Sequence, residues 1–268
     1  MALIALASAK GAPGVTVTSL ALTLAWPRAV LLAECDPSGG TIQAGYLAGQ
    51  LTADRGLAKL AIAERHGRLY DEFGPQLIDL GADARQHHPR WLLPGVSDPA
   101  HAANLTPGMW ERLGGYLAQL EDTDVAFDVL ADCGRVPALN APLTLMRHAE
   151  VVLLLVESTM PAISAARPRV RMLQRELEQH GVGVLRLLVR GHGPYSAREV
   201  AEELQAPVLA ELPEDERTAR MLSLGDGTPR HNANLLRAGR SLQEPLDQLI
   251  QGRRAAATGI EEASHATR

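Results

Sequence analysis

Residues 10–16, Lys-Gly-Ala-Pro-Gly-Val-Thr, combine small residues with a lysine and a hydroxyl in an order suited to holding an anion. A short apolar run at residues 3–7 precedes them, and apolar residues at helical spacing follow as far as residue 24. This pattern predicts a buried strand, a glycine-containing turn and a helix. Because the backbone N–H groups of such a turn converge with the positive end of the helix dipole, the predicted chemistry is phosphate binding. The simpler alternative is a strand, a turn and a helix with an incidental lysine.

Three carboxylates stand where two later apolar runs end. Glu34 and Asp36 follow the run at residues 29–33, and Asp132 closes the run that begins at residue 126. Side chains at the carboxyl ends of parallel strands lie on the ligand side of a sheet, so Asp36 and Asp132 are candidates for the same site as the loop. Each also has an ordinary explanation. Asp36 can cap the Pro-Ser-Gly turn that follows it, and many apolar strands without a functional role end in an aspartate.

The strands and helices that must position these groups alternate along the chain. Strands are predicted at residues 3–7, 29–33, 76–80, 91–95, 126–134, 151–156, 182–189 and 207–212, and helices at 16–24, within 41–75, and at 104–120, 138–148, 162–179, 196–204 and 232–251. The main strands lack polar alternation, which is typical of a parallel sheet covered by helices on both faces. We therefore predict an α/β fold with a single domain at residues 1–251 and a flexible tail at residues 252–268.

Composition and charge argue against several classes of protein. The chain has 268 residues, a formal charge of −5 and 46% hydrophobic residues, which suits one α/β domain with a sizeable core. This charge gives no global attraction to nucleic acid or to anionic lipid. The two cysteines make no disulfide framework, and there is neither a secretory leader pattern nor an apolar run of 18 residues. We expect a cytoplasmic location.

The loop departs from the usual phosphate-binding sequence G-x-x-x-x-G-K-S/T in one respect. Gly14 and Thr16 match it, but Val15 occupies the position of the lysine, and Lys10 stands five positions earlier. That offset resembles the deviant Walker A motif, K-G-G-x-G-K-S/T, of the ParA/MinD family. The stretch around Asp36 resembles the D-x-D-P-Q-G segment of that family. Asp132-Cys133 resembles the start of its D-C-P-P segment, at the end of the Walker B strand.

The resemblance implies a P-loop NTPase-type fold and a nucleotide site with ATP or ADP and Mg²⁺. Residues 11–17 are the implied nucleotide-binding loop, namely Gly11, Ala12, Pro13, Gly14, Val15, Thr16 and Val17. Thr16 and Asp132 are the implied metal ligands, and Asp36 is the implied catalytic residue that positions the attacking water. Lys10 is the second implied catalytic residue, because the early lysine of this family reaches the nucleotide of a partner subunit in a homodimer.

Val15 lowers the ATPase activity that we expect. Positive charge at the transferring phosphoryl group supplies much of the catalysis in P-loop NTPases, and a valine carries none. We favour a degenerate, nucleotide-binding ParA/MinD-like positioning or partitioning protein with weak or absent ATPase activity. One alternative is a pseudo-ATPase scaffold that localises a secretion or pilus machine, as TadZ/CpaE relatives do. A second alternative is an active, slow ATP-dependent dimer switch for DNA or cargo partitioning.

The sequence says little about partners. Arg167, Arg169, Arg171 and Arg175 lie on a predicted helix in the half where ParA proteins bind DNA, but residues 167, 169 and 171 cannot share one helix face. We therefore favour a solvated face with local ion pairs over a DNA-binding surface. The tail lacks the basic amphipathic face of a membrane-targeting helix. His87 and His88 have no ligand-spaced partners and are predicted to be surface loop residues.

Overall fold

Eight strands form one sheet in the computed structural model, which describes residues 2–10, 14–49, 55–81, 88–120, 126–191 and 193–265. The strands are β1 (Leu3–Ser8), β2 (Val30–Glu34), β3 (Ile78–Asp79), β4 (Arg90–Leu93), β5 (Asp128–Arg135), β6 (Val151–Glu157), β7 (Val184–Arg190) and β8 (Val208–Leu212). Their order across the sheet is β3-β4-β2-β5-β1-β6-β7-β8. All neighbouring pairs are parallel except β3 and β4. β1 and the loop that follows it therefore lie near the middle of the sheet.

Helices cover both faces of this sheet. They are α1 (Val15–Ala25), α2 (Leu57–Arg65), α3 (Leu69–Phe73), α4 (Pro107–Gln119), α5 (Leu143–Arg147), α6 (Met160–His180), α7 (Ala197–Leu204), α8 (Glu216–Leu224), α9 (Asn234–Ser241) and α10 (Gln243–His265). Short 3-10 helices occur at Gly74–Gln76 and Pro99–Asn104. Apolar residues of α1, α8, α9 and α10 pack on one face, and those of α2 to α7 pack on the other.

Side chains of the central strands alternate between these two apolar layers. In β1, Leu3 and Ala5 join the layer under α2 to α7, whereas Ile4 and Leu6 join the layer under α1. The same alternation places Cys133 of β5 in the first layer, and its neighbour Asp132 therefore faces α1. Strands buried on both faces explain the continuous apolar runs in the sequence.

The predicted fold class, a mostly parallel sheet covered on both faces, is confirmed. Some element bounds differ from the predictions. The strand predicted at residues 76–80 is only Ile78–Asp79 and runs antiparallel at the sheet edge. The helix predicted at 138–148 is limited to Leu143–Arg147, and α8 occupies a stretch with no predicted helix.

The predicted C-terminal helix is divided in two, and its second part is longer than expected. α9 ends at Ser241, and α10 begins at Gln243 and continues to His265. A helix therefore crosses the predicted boundary at residue 251. The flexibility of residues 252–268 stays a prediction.

A buried carboxylate connects the N-terminus to three parts of the fold. Asp128, at the start of β5, accepts hydrogen bonds from the Ala2 N–H at 2.8 Å and from Trp26 Nε1 at 2.8 Å. It also accepts one from Arg28 Nε at 2.8 Å, and Arg28 in turn forms a bidentate ion pair with Asp247 of α10. Asp128 is 1% exposed. Because the buried Ala2 and Trp26 N–H groups both find their acceptor in Asp128, this network stabilises the packing at the start of β5.

Candidate functional site

Helix α1 begins at Val15, directly after its N-cap residue Gly14. This glycine has φ 79° and ψ 42°, in the left-handed region that favours glycine, and its carbonyl accepts the Thr18 N–H at 2.9 Å. Among the described residues no side chain caps α1, and its first turn contains no acidic residue. The first turn therefore presents backbone N–H groups and a positive dipole end to the carboxyl edge of the sheet, as anion binding requires.

Three other helices of the chain, α4, α7 and α8, have side-chain caps, whereas α2, α3, α5, α6 and α9, like α1, have none among the residues that the structure describes. Thr106 accepts the Met109 N–H at the start of α4, and Asp215 accepts the Thr218 N–H at the start of α8. Ser196 and Glu199 form a reciprocal capping box at the start of α7. These caps satisfy N–H groups that an anion would otherwise bind.

Thr16 and Asp132 meet at this N-terminus. The Thr16 hydroxyl donates a hydrogen bond to the Asp132 carboxylate, which also accepts the Gly134 N–H at 3.0 Å. Asp132 is 1% exposed, and burial raises its pKa to about 7, against the hydrogen bonds from Thr16 and Gly134 that lower it. Hydroxyl and carboxylate oxygens together are the donors that a hard divalent cation prefers.

Asp36 stands beside Asp132, at the end of β2. Its carboxylate accepts the Ser38 N–H at 2.7 Å, so it does cap the turn that follows it. The side chain also lies against the α-carbon of Gly134, where a Cβ would overlap it. Both explanations considered for Asp36 are thus compatible, because the turn bond leaves the residue at the edge of the cleft.

Glu34 is a site residue to which sequence reasoning assigned no role of its own. It pairs in register with Asp132 and is 2% exposed. Its Oε1 accepts the N–H groups of Thr41 at 2.7 Å and Ile42 at 3.0 Å, and its Oε2 accepts that of Gly95 at 3.2 Å. Burial raises its pKa, against the hydrogen bonds from Ile42, Gly95 and Thr41 that lower it. Glu34 therefore holds two loops of the carboxyl edge together.

The two loops joined by Glu34 approach closely at a pair of glycines. A Cβ on Gly40 would lie 2.8 Å from the Gly95 nitrogen, and one on Gly95 would lie 2.8 Å from the Gly40 α-carbon. Neither site has room for a larger residue. Two features of the sequence could have indicated this contact between the loops: an acid directly at the end of β2 and a glycine at each loop position.

These groups surround a cleft of about 400 Å³ at the carboxyl edge of the sheet. Its walls include Gly14, Thr16, Asp36, Thr41, Gly134 and Leu222. Val17 and Val15 also line it, although Val15 is 6% exposed and belongs to the apolar layer under α1. The fold thus brings the loop end, the Thr16 hydroxyl and Asp36 to one concave site, and Asp132 lies buried directly behind Thr16.

Comparisons with solved structures show several that resemble this chain over most of its length. The septum site-determining protein MinD of Pyrococcus horikoshii OT3, complexed with Mg-ADP, has a TM-score of 0.69 at 19% identity, with 94% of this chain and 98% of that chain covered. A ParA family ATPase of Chlorobium tepidum TLS has a TM-score of 0.65 at 13% identity, with 93% and 95% covered. An ATP complex of a Cyanothece McdA variant has a TM-score of 0.67 at 17% identity, with 92% and 96% covered.

The chain has the fold of the MinD and ParA ATPases. A comparison with models of protein families finds no match, and neither does a comparison with curated protein sequences. The likeness to MinD and ParA thus establishes the shared architecture, with the loop after β1 at the edge where β2 and β5 also end.

Some residues of the predicted nucleotide-binding loop lie outside the described part of the chain. Gly11, Ala12 and Pro13 are among them, and their predicted contacts with nucleotide stay predictions. Lys10 is exposed, its carbonyl accepts the Ser8 hydroxyl at 3.1 Å, and it is not among the described residues that line the cleft. Within the described part of this one chain Lys10 is therefore not a wall residue of the cleft, and its role stays a prediction.

Other residues singled out in the sequence lie away from the cleft. Arg167 pairs with Glu203, and the Arg169 Nη1 donates to the Ala165 carbonyl at 3.2 Å, in agreement with a solvated face that forms local pairs. His88 is exposed, and His87 lies outside the described residues. Within the described ranges, no group of three or more His, Cys, Asp or Glu side chains forms a metal site, and no helix is both long and apolar enough to cross a bilayer.

Proposed function

We propose that this chain is a nucleotide-binding positioning or partitioning protein of the ParA/MinD kind, which acts as a homodimer with weak or absent ATPase activity. The observation that carries the proposal is the hydrogen bond from Thr16 to the buried Asp132, beside the uncapped start of α1. An anion site and a pair of hard oxygen donors are thereby adjacent, as Mg²⁺-nucleotide binding needs. The complexes of the MinD structure with Mg-ADP and of the McdA variant with ATP support the choice of ligand.

The donor set fits Mg²⁺. This ion is usually held by one or two protein oxygens together with waters and phosphate oxygens, rather than by a full protein cage. Thr16 supplies such an oxygen in the wall of the cleft, and its partner Asp132 supplies one directly behind it. When bound, the ion would neutralise phosphate charge, and Asp36 at the cleft edge would orient a water near the terminal phosphate.

Weak hydrolysis follows from Val15. Its side chain is buried in an apolar layer at the position where a P-loop lysine would contact the phosphates. A missing cation leaves the transferring phosphoryl group with less fixed positive charge. A scaffold without turnover that localises a larger machine is accordingly the second candidate, and both candidates share nucleotide binding.

Dimerisation is proposed from the exposure of Lys10 at the end of β1. An exposed lysine that does not line the cleft of its own chain can reach the phosphates of a facing subunit. Nucleotide binding and dimerisation are then linked, and each strengthens the other by the same factor. The cargo, the protein partner and the cytoplasmic location stay predictions.

Calorimetric titration with MgATP and MgADP tests the nucleotide site. We expect measurable binding by the unaltered protein and a loss of about tenfold or more for Thr16→Ala, since a charge-assisted hydrogen bond is worth about 1.5–3 kcal/mol. Thr144→Ala is the matched control, because the Thr144 hydroxyl bonds the Pro107 carbonyl outside the cleft. No binding heat for the unaltered protein with either nucleotide would refute the proposal.

Phosphate release under steady-state conditions separates the scaffold from the slow switch. Slow Mg²⁺-dependent release that disappears in Asp36→Ala identifies the switch, whereas release at blank level from both proteins identifies the scaffold. Retained MgATP binding by Asp36→Ala would show that the site is still formed.

Sedimentation velocity with and without MgATP tests the dimer. We expect a shift from monomer to dimer on addition of MgATP that Lys10→Ala removes and Lys59→Ala preserves. Lys59 is the matched control because it is an exposed lysine on α2. Dimers of equal strength in every sample would mean that the interface does not depend on nucleotide or on Lys10.

A further inference from the structure

Arg190, the last residue of β7, reaches the phosphate loop. Its Nη1 lies 3.5 Å and its Cζ 4.0 Å from the position that a Cβ would take on Gly14. β7 is two strands from β1 in the sheet, a separation of about 10 Å that a long side chain is able to span. The guanidinium therefore lies over the glycine at which α1 begins.

The charges around the loop differ in sign on its two sides. Asp36 follows the end of β2 and Asp132 belongs to β5, on one side of β1, and Arg190 belongs to β7, on the other side. The loop end and the start of α1 lie between them. The carboxylate side suits a divalent cation, and the guanidinium side suits an anion.

Arg190 adds positive charge to a helix end that is already positive. The start of α1 carries the positive end of the helix dipole, and its first turn, Val15, Thr16 and Val17, contributes no acidic residue. A bound phosphate group would interact favourably with both the helix end and the arginine. It accepts hydrogen bonds from backbone N–H groups and from a planar guanidinium fork.

We infer that Arg190 is the phosphate-contacting cation of the cleft and takes the place of the lysine that is absent at position 15. This inference rests on the proposed nucleotide site and adds to it the residue that holds the phosphates. The positive charge that a P-loop lysine would supply then comes from a distant strand instead of from the loop. An arginine is always charged and binds phosphate through two donors, but it approaches from the β7 side instead of from within the first turn of α1.

Equilibrium titration with two probes, MgATP and Mg-tripolyphosphate, tests the inference. We expect Arg190→Ala to weaken the binding of both probes by about ten- to a hundredfold, the range given by charge-assisted hydrogen bonds. Arg190→Lys should restore part of the affinity. Arg186→Ala is the matched control, since Arg186 lies on the same strand, its Nη1 donates to the Leu185 carbonyl, and within the described part of the chain its atoms are not among those nearest Gly14.

A third variant covers the case that Arg190→Ala does not fold. Arg190→Gln keeps a polar side chain of similar reach without the charge, and circular dichroism with a thermal melt checks its fold. It should weaken the binding of both probes as much as Arg190→Ala does.

Each outcome of the titration decides between the inference and its alternatives. Unchanged affinity of the folded Arg190 variants for both probes would overturn the inference and leave the nucleotide site standing. Weakened MgATP binding with unchanged tripolyphosphate binding would assign Arg190 to the nucleoside part, which also overturns it. No binding of either probe by the unaltered protein would remove the site altogether.

Discussion

The carboxylate of Asp36 lies against the α-carbon of Gly134, and a Cβ at residue 134 would overlap its Oδ2 and Cγ atoms. Gly134 also has φ 60°, in the left-handed region. The glycine two residues after Asp132 therefore makes room for the second acid of the cleft. Two strands that end side by side, β2 and β5, can bring their acids together only because this position has no side chain.

We expect Gly134→Ala to lower the free energy of unfolding by about 2–3 kcal/mol, the sum of left-handed backbone strain and the clash with Asp36. In an Asp36→Ala background the same change should cost about 1 kcal/mol, because only the strain remains. Urea unfolding of the four proteins measures the difference. Gly67→Ala is the matched control, since Gly67 has φ 69° and open space around it. Equal costs in both backgrounds would contradict the contact.

Glu34→Ala should destabilise the protein by about 2–3 kcal/mol, because three backbone N–H groups lose their acceptor at once. Hydrogen exchange gives the specific readout: protection should fall at the amides of Thr41, Ile42 and Gly95. Glu157→Ala is the control, since Glu157 is an exposed acid at the corresponding end of β6. Unchanged protection of these three amides would show that Glu34 does not hold the loops.

Asp128→Ala should cost about 3–5 kcal/mol of stability, because it leaves buried donors of Ala2 and Trp26 and part of the Arg28 guanidinium without an acceptor. Asp247→Ala should cost about 1 kcal/mol or less, since the Arg28–Asp247 pair is about one third exposed and surface pairs are weak. Chemical denaturation of both variants tests this ranking. Similar losses of stability in the two variants would mean that the buried hydrogen bonds to Asp128 add little to the stability of the fold.

The stability of the metal-free protein should fall with rising pH through Asp132. Burial raises the pKa of this carboxyl to about 7, above its value of about 3.9 in an unfolded chain. The folded chain thus holds the proton more tightly than the unfolded chain does. Its contribution to stability is fully present below about pH 4 and is lost as the pH rises through 7.

Asp132→Asn should remove this contribution. Between pH 5 and pH 8 the unaltered protein should lose about 3 kcal/mol more than the variant, because each of the two pH units below the raised pKa counts for about 1.4 kcal/mol. Urea unfolding in a chelator at both pH values measures it, with Asp226→Asn as the control at an exposed aspartate. Parallel changes in the variant and the unaltered protein would contradict the raised pKa.

The sequence alone determined the local secondary structure of the site. Apolar runs without polar alternation predicted the buried parallel strands, and the residues around Gly14 and Thr16 predicted a turn that opens a helix. The acids at residues 36 and 132 were placed at strand ends for the same reason. These features depend on neighbours along the chain, through side-chain periodicity and backbone conformation, and so they are visible in a single sequence.

The tertiary structure alone decided which distant residues share the cleft. The role of Glu34 depends on loops at residues 40–42 and 95, and the approach of Arg190 to Gly14 depends on the order β1-β6-β7. Likewise, the burial that raises the pKa of Asp132 exists only after α1 packs on the sheet. Contacts between residues far apart in sequence are set by strand order and packing, for which local periodicity carries no signal.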